Sequence, residues 1–141
     1  MRKKMLQCML CMGLMFLCCS CGFFGPQKYV CEVDDVASVQ IIRLEEYVEG
    51  EYRFEYTILA QISNYRAFVD RLNNLKHSVN WGEPGWFPDQ CVVIRIDYHN
   101  GDFDLLYPNV QWFNRDGVNH SGFFFFDKEQ FSALISEYWT E

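Results

Sequence analysis

The sequence predicts an α+β domain, a single antiparallel sheet of about five to seven strands with two amphipathic helices packed on one face. Three observations carry this. Residues 65–75 and 131–138 space their apolar side chains three and four apart, as one face of a helix requires. Elsewhere, short runs rich in Val, Ile, Leu and aromatic residues are separated by Asp-Asp, Asn-Gly and Asp-Gly pairs. Such short connections join strands that pair antiparallel.

Residues 29–33 read as a short first strand, and Asp34-Asp35 as a turn. Residues 38–46 form the next strand, which Glu49-Gly50 breaks. Residues 52–59 return as a strand with Tyr52, Phe54, Tyr56 and Ile58 on one face and Arg53, Glu55 and Thr57 on the other. Ser63 is placed to cap the first helix, with its hydroxyl on an orphan backbone N–H. Tyr65, Phe68, Val69, Leu72 and Leu75 make that helix's apolar stripe, and Asn73 and Asn74 mark its end. The Pro- and Gly-rich residues 77–90 read as a loop.

Residues 91–107 read as a hairpin about Asn100-Gly101, because a two-residue type I′ turn needs positive φ at both central positions. That loop sets Tyr98 across from Phe103, Ile96 across from Leu105 and Ile94 across from Tyr107. Arg95, Asp97, His99, Asp102 and Asp104 then line the opposite face. Residues 110–113 follow as a strand, Asp116-Gly117 as a turn, and residues 122–126 as the last strand. Asp127 caps the final helix, with Gln130 in the capping-box position and Phe126 and Phe131 at the positions of a hydrophobic staple. Phe131, Leu134, Ile135 and Tyr138 form its stripe.

The N-terminus carries a different signal. Arg2, Lys3 and Lys4 precede an apolar run from residue 5 to about 19, which Ser20-Cys21-Gly22 ends. Charged, apolar, then small is the order of a secretory signal, and the run falls short of the about 20 residues of a spanning helix. Its end resembles the lipobox of bacterial lipoproteins, in which a Cys after small residues becomes the lipidated first residue of the mature chain. The resemblance covers residues 1–22 and departs from the family at Cys18, where a Leu is usual. It implies a signal peptide over 1–20, a lipid anchor at Cys21 with a tether over 21–28, and one domain over 29–141. It also implies a domain held outside the cytoplasm, on a bacterial cell-envelope membrane, through its lipid.

Residues 21–141 keep 9 basic against 19 acidic side chains, a net charge of −10. So acidic a domain disfavours a nucleic-acid partner, whose phosphates need Lys and Arg. It favours a cationic partner instead. Of the seven cysteines, only Cys31 and Cys91 lie in the domain. An oxidising envelope permits a disulfide closing a loop of about 60 residues, worth on the order of 4 kcal/mol. The alternative is two small buried thiols that never meet.

Candidate chemistry is sparse. The hairpin register sets Asp97 against Asp104, like charges that need solvent, Arg95 or a bound Ca²⁺ to offset them. A solvated outer face is the favoured reading, since no acidic loop of the EF-hand kind accompanies them. His77, His99 and His120 lack metal-ligand spacing, and no nucleophile elbow, P-loop or dinucleotide fingerprint occurs, so no cofactor is expected. The aromatic loop is more telling. Trp81, Trp86 and Phe87 sit among Gly82, Pro84, Gly85 and Pro88, while Trp112 and Phe113 flank a second turn region. These rings suit a sugar or a peptide if exposed, or a roof over the core if not. The expected function is therefore a non-enzymatic envelope lipoprotein with a protein or glycan partner. The alternatives are an immunity or inhibitor protein against a basic toxin or hydrolase, and an envelope enzyme using Asp97, Asp104, His99 or Cys91.

Overall fold

The computed structural model describes residues 28–48, 53–80, 82 and 85–140. Cys21 and Trp81 lie outside the described residues. The chain is α+β. Six strands form one antiparallel sheet in the order β2-β1-β4-β5-β6-β7: β1 Val36–Val48, β2 Arg53–Gln61, β4 Val92–Tyr98, β5 Phe103–Tyr107, β6 Val110–Arg115 and β7 Val118–Ser121. Two further strands, β3 (His77–Val79) and β8 (Phe124–Phe126), pair only with each other among the described residues. The single sheet expected from sequence is thus two. β3 falls inside the expected 77–90 loop, and the expected last strand leaves the main sheet after β7. The Asp116-Gly117 turn is as read: positive φ at both residues (52° and 78°) joins β6 to β7 with Arg115 opposite Val118.

The β4–β5 hairpin slips by one residue from the expected register. The Gly101 N–H donates to the Tyr98 carbonyl at 3.0 Å, and the Tyr98 N–H donates to Asp102 at 2.9 Å. The loop is therefore three residues, His99-Asn100-Gly101, with Gly101 at φ 94° supplying the left-handed conformation that closes it. Ile94 faces Leu106, Ile96 faces Asp104 and Asp97 faces Phe103. A one-residue slip moves every side chain of β5 to the other face. Asp97 and Asp104 are consequently not a cross-strand pair, and Asp104 is fully buried rather than solvated.

Residues 29–33 are not a strand. They run as an extended strap into a 3-10 turn at Val33–Asp35. Tyr29 is buried against Phe113, Phe124 and Phe126. Asn73 clamps the strap at Cys31, its Oδ1 accepting the Cys31 N–H at 2.9 Å and its Nδ2 donating to the Cys31 carbonyl at 2.8 Å.

Helix α1 (Tyr65–Asn73) starts from Asn64, not Ser63, and no side chain caps it. Phe68, Val69 and Leu72 are buried as its spacing predicts. Helix α2 (Lys128–Ser136) is capped by Asp127, whose side chain accepts the Gln130 N–H at 2.9 Å. The Gln130 side chain does not close the reciprocal half of a capping box. It accepts the Lys76 N–H at 3.0 Å, tying α2 to the chain beyond α1. Phe126 and Phe131 stand 5.2 Å apart as the staple predicts. Phe68, Val69, Leu72, Phe131 and Leu134 share one buried cluster with Val39, Ile41, Ile94, Ile96 and Leu106 of the main sheet. A second cluster holds Ile42, Leu44, Val93 and Leu105, whose side chains alternate with those of the first along the same strands, together with Phe87 and Cys91. Both faces of the sheet are therefore apolar and covered.

Candidate functional site

The face carrying the second cluster is concave. β2 and β6 lie four strand spacings apart, about 19 Å on a flat sheet. Yet the rings of Phe54 on β2 and Trp112 on β6 are 5.1 Å apart. The β1–β2 hairpin therefore curls over this face. The cause is visible in β1, where irregularities between Ile41 and Ile42 and between Leu44 and Tyr47 interrupt the ladder to β2. Bulges of this kind bend a strand and raise its twist.

Curling gathers aromatic side chains from four separate segments. Trp112 meets Tyr47 at 6.0 Å, Trp86 at 6.2 Å and Phe87 at 5.9 Å, mostly edge to face. Of the five rings singled out in the sequence, Trp86, Phe87 and Trp112 thus come together, whereas Phe113 packs in the first cluster on the other face. Their burial differs. Phe87 is buried and roofs the second cluster, whereas Trp86 is 70% exposed. Tyr47 and Phe54 complete the group and were not singled out, because only the curl brings them there.

Beside the rings lies a cleft of about 240 Å³, lined by Leu44, Phe54, Tyr56, Phe103 and Trp112 together with Arg53 and Arg95. Arg95 is fixed. Its guanidinium sits 4.4 Å from the Phe103 ring centre and 5.1 Å from that of Tyr56. Its Nε and Nη2 both donate to Asp97 Oδ1, at 2.9 and 2.6 Å, and Asp97 Oδ2 accepts from Ser38 at 3.1 Å. Asp97 is therefore the carboxylate that orients Arg95, not half of a like-charge pair.

Asp104 has a separate role on the other face. Its Oδ2 accepts from Tyr98 at 2.5 Å and from Tyr29 at 2.8 Å. Its Oδ1 lies 2.7 Å from Arg115 Nη1. That contact is an ion pair off the line of the N–H bonds, which go to the carbonyls of Asn114 at 2.8 Å and Phe103 at 3.3 Å, so Oδ1 has charge compensation without a hydrogen bond. Burial, then the Asp104 charge, raises both tyrosines above the usual phenol range, so both remain donors. This buried cluster pins the strap to the sheet through Tyr29. A cavity of about 380 Å³ lined by Tyr98, Arg115, Asp35, His99 and Asp102 opens over it.

Cys31 and Cys91 are both free and buried, and they belong to different clusters, so the disulfide considered from sequence is not formed. Cys31 lies 3.5 Å from the Tyr98 hydroxyl, and burial raises its thiol. Burial also pushes the Cys91 thiol up to about 11, so it is not a thiolate at neutral pH. Cys91 instead lines an apolar groove of about 490 Å³ with Tyr107 and the Ile135 side of α2. Asp97, Asp104, His99 and Cys91 do not converge. Among the described residues, no group of three His, Cys, Asp or Glu is placed to hold a metal ion, and no helix is long and apolar enough to cross a membrane.

Compared with protein-family models, curated proteins and solved structures, the chain finds no match.

Proposed function

We propose that this chain is a lipid-anchored cell-envelope protein whose domain binds a partner, protein or glycan, through the aromatic cleft between Phe54 and Trp112, without enzymatic activity. Both helices pack on one face of the main sheet in this reading, which leaves the curled face for binding. The shared cluster of α1, α2 and sheet side chains supports that division. The leader supports the anchor: three basic residues, an apolar run and Ser20-Cys21-Gly22. Tyr29 follows Cys21 by eight positions, so the strap stands within about 29 Å of the lipid.

The observation that carries the reading is Trp86. A large ring 70% exposed, yet held edge-on against Tyr47 and Trp112, is placed for contact rather than for the core. The cleft beside it is smaller than the roughly 300 Å³ at which drug-sized sites begin, so it takes one ring or one side chain of a partner. A pull-down from native membranes, with the tag after Glu141, tests this. The partner captured by the unmodified chain should be lost with the combined Trp86→Ala and Trp112→Ala variant while circular dichroism is unchanged. Equal capture by both proteins overturns it.

The net charge of −10 over residues 21–141 favours one other reading, an immunity or inhibitor protein that blocks a basic toxin or hydrolase. Its signature is an association rate that falls steeply with salt and is indifferent to the two tryptophans.

A further inference from the structure

The geometry points to a carboxylate-bearing sugar as the ring this cleft takes, with the carboxylate received by Arg95; the inference rests on the cleft being the binding site. The cleft is aromatic on its walls and carries two arginines, Arg95 paired with Asp97 and Arg53 standing 4.0 Å from Glu55, in a domain that is otherwise strongly acidic. Arg95 is the better defined of the two. Asp97 consumes Nε and Nη2, and the flanking Phe103 and Tyr56 rings hold the guanidinium plane. Among the described residues Nη1 has no hydrogen-bond partner, and it is not among the buried unpaired atoms, so it reaches solvent with its donors unspent. A guanidinium fixed in advance loses little freedom on receiving a carboxylate, and a charge-assisted bond is stronger than a neutral one.

The remaining surface selects the body of the ligand. A pyranose offers an apolar C–H face and a polar edge. Trp112 and Phe54 present apolar ring surface in the cleft for the first, with the exposed Trp86 packed on Trp112 just outside it, and the arginines stand beside them for the second. A peptide would also need main-chain partners. Of the strands that line the cleft, β1, β4, β5 and β6 pair on both sides, and among the described residues β2 alone keeps an unpaired edge, so main-chain partners for a peptide are confined to that edge. The net charge of the domain gives an anion no long-range attraction, so discrimination must come from contact in the cleft.

The test is a titration of the full chain, followed by tryptophan fluorescence, with short oligomers of galacturonic acid and with their methyl esters. The ester keeps the ring and removes the charge. The acid should bind roughly tenfold or more tightly than the ester, as one charge-assisted hydrogen bond predicts. Arg95→Lys, which keeps the charge and loses the planar fork, should reduce that preference. Equal affinity for acid and ester overturns the inference while leaving the cleft as a site. No response to either saccharide, with membrane capture still dependent on Trp112, also overturns it and leaves the cleft reading standing. Binding only of a short peptide ending in an aromatic residue would replace the sugar by a peptide carboxylate. Capture that ignores Trp112 removes the cleft reading itself. The acid-to-ester comparison needs no variant, so it holds even if Arg95→Lys fails to fold.

Discussion

Phe54 and Trp112 touch across four strand spacings, with ring centres 5.1 Å apart. This contact is what makes the curled face a cleft instead of an open sheet. Among the described residues, Tyr47 against Trp86 and Trp112, Phe54 against Phe87, and Tyr56 under Arg95 add to its hold on the β1–β2 hairpin.

Phe54→Ala should therefore cost both stability and binding. The ring is half-buried, so the loss should be about 2 kcal/mol, below the about 3–5 kcal/mol of a fully buried Phe. Trp112 fluorescence should shift to the red as solvent enters. Trp86→Ala should change the denaturation midpoint far less, because Trp86 is mostly exposed, yet it should lose the captured partner. Equal destabilisation by the two variants would show that Trp86 is a core residue.

Asp104 sets a second expectation. Asp104→Asn removes the partner of Arg115 and presents an amide to two tyrosine donors, so an NH₂ or a lone acceptor is left mispaired. Breaking one side of a buried ion pair costs about 3–5 kcal/mol, and the half-exposed Arg115 recovers some water, so about 3 kcal/mol is expected. Tyr98→Phe leaves Tyr29 as the remaining hydroxyl donor and should cost about 1–3 kcal/mol. The two losses should not add, since both act on one carboxylate. Urea midpoints of the two single variants and the double variant measure this, and strict additivity would show that Tyr98 and Asp104 are independent.

Most elements of this fold are written locally. The stripes Phe68-Val69-Leu72 and Phe131-Leu134, the Asp127 cap and the Asp116-Gly117 turn all follow from spacing within a few residues. What failed to follow is the register of β5, and the reason is physical. Register is well specified where only one face is buried. Here both faces are covered, so Phe103, Leu105 and Tyr107 satisfy one cluster while Leu106 satisfies the other, and the apolar pattern fits either alignment. Gly101 was correctly read as a turn residue, but whether two or three residues form the loop decided where Asp104 went. The candidate site was half legible. Trp86, Phe87 and Trp112 stood out as loop and turn aromatics. Tyr47 and Phe54 looked like ordinary strand residues, because a curl made by bulges over four strands leaves no local spacing to read. The adjacent Glu45 and Glu46, which break alternation where the ladder is irregular, were the available sign.

The strap carries a pH dependence. The Tyr29 N–H donates to His77 Nε2 at 3.3 Å, which requires a neutral imidazole. Burial against Phe124 and Phe126 first, and then Lys28, lower the His77 pKa, against a raising bond at Leu75. A pKa lowered by folding means that the unfolded chain binds more protons, so this contribution is complete above the unfolded value of about 6.5 and fades as pH falls below it. Thermal denaturation between pH 8 and pH 5 should show the loss, and His77→Gln should flatten that part of the profile. An unchanged slope in the variant would assign the effect to other groups.

The β4–β5 loop offers the sharpest test of register. Gly101 stands at φ 94° with nothing within 4 Å of where a Cβ would be, so Gly101→Ala adds backbone strain and no clash. A non-Gly residue in a left-handed conformation costs about 1–2 kcal/mol. That strain competes with a loop well tied by side chains. The Asp102 N–H donates to Asn100 Oδ1 at 3.0 Å, and Asp102 Oδ1 accepts the Asp116 N–H at 2.9 Å, joining this turn to the β6–β7 turn. A slip to a two-residue loop would also take Asp104 away from Tyr29, Tyr98 and Arg115, a far greater loss. Gly101→Ala should therefore lower stability by about 1–2 kcal/mol with the amide and side-chain NMR signals of Asp104, Tyr98 and Tyr29 in place. Large shifts confined to β5 would show that the two registers are close in energy and that Gly101 chooses between them.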